Sequence, residues 1–162
     1  TTFCVNYLAH VLLTGMLKPL LIADGGSVLN VSSVDHHSAA FDPFNMQGEL
    51  RWSGYDAYAQ SKLFNIMFTL DCAFDDEPLR SNTLDPGVIA TKLLHAGWVI
   101  GGDDVSVGGE EIYETVMEIE KGGYNGVYFE NVRPATCSSI ARDPFQRKEL
   151  AGLTGMMLSR FR

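Results

Sequence analysis

The sequence predicts an α/β fold in which a parallel sheet carries helices on both of its faces. Apolar residues at intervals of three and four indicate helices, and short runs rich in β-branched residues lie between them. The order along the chain is helix, strand, helix, strand, helix, strand, helix. Strands that alternate with helices are typical of parallel sheets, whose ligands bind beyond the carboxyl ends of the strands.

The first half of the chain predicts two helices, one strand and a long loop. Residues 3–21 have helical spacing, and Gly25 and Gly26 follow as a helix end. Residues 27–32 indicate a buried strand. Residues 34–54 are polar, aromatic and without period, which indicates a long loop, and loops of this length tend to be functional. Residues 55–74 predict the second helix.

The second half repeats the alternation. Residues 80–84 predict a strand that stops at Asp85-Pro86-Gly87. Residues 93–107 are irregular, and a helix is expected over 110–119, with Asp103 or Asp104 as an earlier start. Residues 126–130 predict the third strand. Asp143 as N-cap and Pro144 at the first helical position open a last helix that runs to about residue 158.

Composition narrows the classes of protein. The chain has 162 residues, is 46% hydrophobic and carries a net charge of −8, so it suits one domain and argues against nucleic-acid or anionic-membrane binding. Cys4, Cys72 and Cys137 stand far apart, which indicates neither a zinc site nor a disulfide framework. We expect free thiols in a reducing, cytoplasmic environment. Polar residues interrupt the apolar stretch 7–22, so no membrane span is expected.

Tyr58 and Lys62 lie four residues apart, on one face of the second predicted helix. A phenol with its ordinary pKa near 10 is a poor acid–base catalyst, and a nearby ammonium lowers that pKa. The hydroxyls of Ser32 and Ser33 end the first strand, where one of them could bind a substrate carbonyl oxygen or simply cap the loop.

Four ordered motifs then resemble the short-chain dehydrogenase/reductase family. These are Asn6 within VNYLAHVLLT, the strand end VLNVSS, the helix YAQSK and the turn DPGVIATKL. SSVDHH, FNMQGEL and the C-terminal GGYNGVYFENVRPATCSSIARDP are similar to the retinol-dehydrogenase-like and protochlorophyllide-reductase-like branch. The resemblance implies the C-terminal part of a doubly wound, Rossmann-type sheet.

The resemblance also implies a role for each matched residue. Tyr58 would exchange the proton with the substrate oxygen, Lys62 would lower the pKa of Tyr58 and hold the nicotinamide ribose, and Ser33 would orient the substrate. Asn6 would hold a water of a proton relay that begins at Lys62. The nicotinamide would lie against Pro86, Gly87 and Val88, with backbone groups of Val88 binding its carboxamide. Thr91 would contact the carboxamide or the diphosphate.

One motif of that family does not occur in the sequence. The phosphate-binding TGxxxGxG turn is absent from these 162 residues, and so is the residue that selects NAD or NADP. We therefore expect residues 1–162 to be the catalytic C-terminal portion of a single NAD(P)-binding domain. The expectation includes an unpaired edge on the first strand, a tendency to aggregate and little activity in isolation.

The resemblance implies an oxidoreductase that interconverts an alcohol and a ketone or aldehyde. NAD or NADP would be the cofactor, the small-molecule substrate is expected to be apolar, and a homo-oligomer is possible within this family. Two alternatives stay open: a non-enzymatic relative that uses the scaffold for binding, and a stand-alone interaction domain. The sequence gives no metal site.

Several other residues have simpler interpretations. His36 and His37 are expected at a loop surface, because adjacent side chains point apart and no third ligand has metal-binding spacing. Phe41, Phe44 and Trp52 could roof a substrate pocket or equally anchor the loop to the core. Trp98 resembles part of the family's mobile substrate lid.

Overall fold

The computed structural model describes residues 1–75, 77, 79–97 and 100–161, and it confirms the α/β class. Within these residues the sheet has the order β1-β2-β3-β4, and its strands are Ser27–Val31, Arg80–Asp85, Tyr128–Glu130 and Arg133–Ala135. β1, β2 and β3 run parallel, whereas β4 returns antiparallel to β3. The α-helices are α1 (Ala9–Ala23), α2 (Gly54–Phe74), α3 (Lys92–Gly97), α4 (Val105–Gly122), α5 (Ser139–Arg142) and α6 (Pro144–Leu158).

A wider, π-helical turn over Cys4–Leu8 leads directly into α1. The joined helix Cys4–Ala23 has 20 residues and a mean hydropathy of 1.4, and 11% of its apolar window is buried. Among the described residues it alone has the length and composition that could cross a membrane. Core helices of soluble proteins and signal sequences meet the same criterion, so the expectation of no membrane span stays a prediction.

Side-chain caps fix the starts of α2, α4 and α6. The Ser53 hydroxyl accepts from the backbone N–H of Asp56 at the start of α2. Asp143 caps α6 by accepting from Phe145 N at 2.8 Å, with Pro144 in the first turn as the sequence predicts. α4 begins at Val105, with Asp104 as its N-cap. The helix therefore has the earlier start near Asp104 that the sequence allows, and not the start at Glu110.

Several short elements differ from the sequence prediction, and one of them is a 3₁₀-helix over Val34–Ser38 within the expected long loop. α3 lies in a segment that was expected to be irregular, and α5 and β4 were not predicted. α3 and α5 are too short to show helical periodicity. β4 contains Pro134 and follows a turn in which Asn131 and Val132 have positive φ, so it has no strand-like sequence pattern. Trp98 lies outside the described residues.

Apolar side chains cover both faces of the sheet. On one face, α2 packs against the N-terminal helix, α6 and Tyr128, around a buried core that includes Leu63, Phe64 and Met67. On the other face, Ile119 of α4 packs on Leu84 and Phe129, the latter two from β2 and β3. This two-sided packing is what a parallel sheet requires.

β1 lies at one edge of the sheet, and β4 lies at the other. Within the described residues β1 pairs only with β2, as the sequence leads us to expect. α1, which precedes β1 in the chain, exposes large apolar side chains, among them Leu13, Met16 and Leu20. An unpaired strand edge and an exposed apolar helix face each favour association.

Phe64 is the centre of the aromatic core, and its removal tests this packing. Its fully buried ring lies 5.4 Å from the ring of Tyr7 and 5.9 Å from those of Phe3 and Phe41, centroid to centroid. We expect Phe64→Ala to lower the free energy of unfolding by about 3–5 kcal/mol, because it leaves a cavity. Phe145→Ala is the matched control, since that ring is 83% exposed. Equal midpoints of the two variants in urea would contradict the packing.

Candidate active site

The parallel register of β1 and β2 brings two strand ends together. Val31 lies opposite Leu84, and the N–H of Ser32 continues the pairing by donating to Leu84 O at 2.7 Å. The segments that follow, Ser33–Val34 and Asp85–Thr91, therefore meet at one edge of the sheet. They border a cleft of about 360 Å³.

The cleft gathers most of the site residues that the sequence predicts. Its walls include Tyr58 and Lys62 of α2 and the hydroxyl of Ser33 after β1. Four residues of the second strand end also line it, namely Pro86, Gly87, Val88 and Thr91. Asn6 does not line it. The apolar part of the wall comes from Val34, Ile89, Leu93, Leu94 and Ile100.

Hydrogen bonds anchor α2 to the end of β1. The ammonium of Lys62 donates to Val31 O at 3.0 Å, and the Ser32 hydroxyl donates to Lys62 O at 2.9 Å. Lys62 Nζ also lies 5.5 Å from the centroid of the Tyr58 ring. These contacts hold the amine and the phenol on the same wall of the cleft.

Tyr58 is partly buried and hydrogen-bonded to the side chain of Ser33. Burial raises the pKa of Tyr58 above its usual 10, the Ser33 hydrogen bond opposes that rise, and the carboxylates of Asp35 and Asp85 add to it. Burial therefore outweighs the hydrogen bond that favours the phenolate, and the prediction that Lys62 lowers this pKa stays a prediction.

The resemblance implies no role for Asp85, which lies in the DPGVIATKL motif, but the structure places it in the cleft. Its carboxylate accepts from Val34 N at 3.2 Å and from the N–H of Gly87, so it ties the two strand ends together. Burial raises the pKa of Asp85 and lowers that of Lys62, while the charge of Asp85 partly restores the pKa of Lys62. An acidic residue directly at a strand end was the available signal.

The second strand end is a shaped turn. Gly87 has a φ of +77°, a conformation that favours glycine. The carbonyl oxygen of Val88 accepts from Asp103 N at 2.8 Å, and Ala90 N donates to Asp103 O at 2.8 Å, so the turn is tied to the segment before α4. Thr91 Oγ1 accepts from Leu94 N at 3.3 Å and thereby caps α3.

Asn6 lies on the other side of α2, in the π-helical turn. Its amide nitrogen donates to Ser61 Oγ at 3.1 Å, and that hydroxyl donates to Tyr58 O at 2.7 Å. Asn6 therefore contacts the residue next to Lys62 in sequence and supports the backbone of the Tyr58 turn. Its predicted part in a water relay stays a prediction.

One expectation for the long loop is wrong, and its three aromatic residues differ in their burial. His36 is fully buried, so the surface position expected for it is wrong, whereas His37 is exposed. Phe41 packs on the core and anchors the loop. Phe44 and Trp52 are 78% and 73% exposed and do not line the described cleft.

The chain is similar in sequence to several proteins that are named dehydrogenases. The chain is 41% identical to mouse polyprenol dehydrogenase over 106 residues, which are 59% of this chain and 32% of that protein. It is 37% identical to human retinol dehydrogenase 12 over 56% of this chain and 29% of that protein. Mouse retinol dehydrogenase 13 is 30% identical over 87% of this chain and 48% of its own length. The matches thus span at most about half of these relatives. No family model matches the chain.

A solved structure supports the fold. An uncharacterized protein from Mycobacterium paratuberculosis superposes with a TM-score of 0.64 and 21% identity. The superposition covers 95% of this chain and 57% of that one. At this identity the likeness concerns the fold.

Adjacent serines provide a test of the Tyr58 environment. We expect Ser33→Ala to raise the pKa of Tyr58 further, because it removes the hydrogen bond that favours the phenolate. Ser32→Ala is the control, since that hydroxyl donates to Lys62 O instead. The measurement is a pH titration of tyrosinate absorbance, with Tyr58→Phe used to identify the Tyr58 signal. A lower pKa in Ser33→Ala, or an equal rise in both variants, would contradict the geometry.

Proposed function

Because the chain is a relative of the short-chain dehydrogenases/reductases, we propose that it carries the catalytic residues of a nicotinamide-dependent alcohol–carbonyl oxidoreductase. The observation that supports this most is the meeting of Tyr58, Lys62 and Ser33 in one cleft between two strand ends. The curated relatives are all named dehydrogenases. A binding domain would have no need of a phenol, an amine and a hydroxyl lining one cleft.

The cleft suits the nicotinamide half of NAD or NADP. Its volume is about 360 Å³, with the Lys62 ammonium on one wall and the Gly87 turn on another. Lys62 would bind the ribose hydroxyls, and the Val88 N–H would bind the carboxamide. Pro86 would lie against the ring, and Thr91 would contact the carboxamide or the diphosphate. When bound, the nicotinamide supplies or accepts the hydride.

The residues of the chain handle the proton and the substrate oxygen. In reduction, Tyr58 would donate its phenolic proton to the carbonyl oxygen, and the resulting phenolate would regain a proton from solvent. Ser33 donates a hydrogen bond to the same oxygen and stabilises its developing charge. In oxidation, the Tyr58 phenolate accepts the proton from the alcohol. Lys62 favours that phenolate electrostatically.

The substrate is proposed to be an apolar alcohol or aldehyde. Val34, Ile89, Leu93 and Ile100 give the cleft an apolar side opposite the polar groups. Such a surface favours a hydrocarbon chain or ring next to the reacting carbon. The names of the relatives, which refer to polyprenol and retinol, agree with this class.

Replacing Tyr58 by phenylalanine tests the proposed mechanism. We expect Tyr58→Phe, in the full-length polypeptide that contains this chain, to reduce kcat for an apolar aldehyde by about 10²- to 10⁴-fold while cofactor binding persists. Tyr55→Phe is the matched control, because that phenol lies one turn earlier on α2 and bonds Asp35 and Ser38. Full activity in Tyr58→Phe would show that the mechanism is wrong.

Binding of the dinucleotide depends on more than this cleft. The 162 residues contain no TGxxxGxG turn to cradle the pyrophosphate. We therefore expect the 162-residue polypeptide alone to bind NADPH or NADH weakly and to reduce aldehydes negligibly. The measurement is calorimetric titration with each cofactor, followed by an activity assay. Measurable carbonyl reduction by this polypeptide alone would overturn the expectation.

A further inference from the structure

His36 occupies an unusual position for a loop histidine. Its side chain is fully buried, and its ring lies 4.9 Å from the ring of Tyr128, with the two planes at 68°. The ring of His37 covers it from the solvent side at 3.9 Å. A buried imidazole is costly unless its nitrogens are hydrogen-bonded.

Both ring nitrogens have backbone partners. Ser138 N–H approaches Nε2 at 3.1 Å, and Nδ1 lies 2.7 Å from Ser33 O. An amide N–H can only donate and a carbonyl oxygen can only accept, so the neutral ring carries its proton on Nδ1. Burial also lowers the pKa of His36 to about 4, which keeps the ring neutral at physiological pH.

These bonds concentrate on one carbonyl group. Ser33 O accepts from Nδ1 of His36 and also from the His36 backbone N–H, at 3.1 Å. The Ser33 hydroxyl accepts from the backbone N–H of Asp35 at 3.2 Å. The backbone N–H of Val34, the residue after Ser33, donates to the carboxylate of Asp85. The orientation of the Ser33 backbone, and hence of the hydroxyl that reaches Tyr58, depends on this set of bonds.

We propose that His36 is a positioning residue, which holds Ser33 toward Tyr58 by linking the end of β1 to the start of α5. Ser138, its second partner, is 102 residues further along the chain and caps α5. The C-terminal segment therefore supports the Ser33–Tyr58 pair without touching the substrate. This inference rests on the proposed function for its kinetic consequence, although the ring tautomer and its bonds do not.

Kinetics of four forms of the full-length polypeptide test the proposal, with retinaldehyde or an aliphatic aldehyde and saturating NADPH or NADH. We expect His36→Phe to lower kcat roughly 10- to 100-fold, the cost of a small displacement of a reacting group. KM for the cofactor should not change, because the Gly87 turn is held by Asp85. His36→Asn should recover part of kcat, since its amide can donate from the position of Nδ1. His37→Phe, the exposed neighbour, should match wild type.

Nitrogen NMR of His36 gives a second readout that does not need catalysis. The expected spectrum shows a protonated Nδ1 and an unprotonated Nε2, with slow exchange of the Nδ1 proton. A proton on Nε2, or equal kcat for wild type and His36→Phe, would overturn the inference. If His36→Phe does not fold, His36→Asn and the spectrum decide. An inactive wild type with the expected spectrum would instead refute the proposed function.

Discussion

The parallel pairing of β1 with β2 is the constraint on which the candidate site depends. It sets Val31 opposite Leu84, and one further hydrogen bond from Ser32 extends the alignment to the strand ends. The hydrogen bonds that shape the site are made at that edge of the sheet. Lys62 reaches back to Val31 O, and Asp85 reaches across to the N–H of Val34. A shift of register by one residue would reverse the side-chain directions and separate these partners.

The site combines stiffness with partial burial of charged groups. Burial makes the ammonium of Lys62 and the phenolate of Tyr58 less favourable than in water. The carboxylate of Asp85 favours the Lys62 ammonium and disfavours the Tyr58 phenolate. Fixed partners offset part of that cost: Ser33 for the phenol, Val31 O for the ammonium, and two backbone N–H groups for Asp85. Such preorganised polar groups need little rearrangement when charge develops on a substrate oxygen.

Much of this arrangement can be read from the sequence, and the reasons for the remainder are physical. The strands β1 and β2, the helix α2 and the edge where Ser33 meets Gly87 follow from local patterns and strand-end rules. The burial of His36 does not, because its partner Ser138 is 102 residues away and contributes only a backbone group. β4 was not predicted, because Pro134 is held in a strand by its pairing with β3 and not by local propensity. The pKa of Tyr58 depends on burial, which spacing alone does not reveal.

We propose that the cleft binds the nicotinamide, with Tyr58 facing the substrate oxygen and Lys62 facing the ribose. A crystal structure of the full-length polypeptide with an oxidised nicotinamide dinucleotide tests this most directly. The account predicts the nicotinamide ring between the Gly87 turn and the Tyr58 phenol, with the ribose hydroxyls at Lys62 Nζ and the carboxamide at the Val88 N–H. A dinucleotide bound elsewhere, or a ribose out of reach of Lys62, would contradict it.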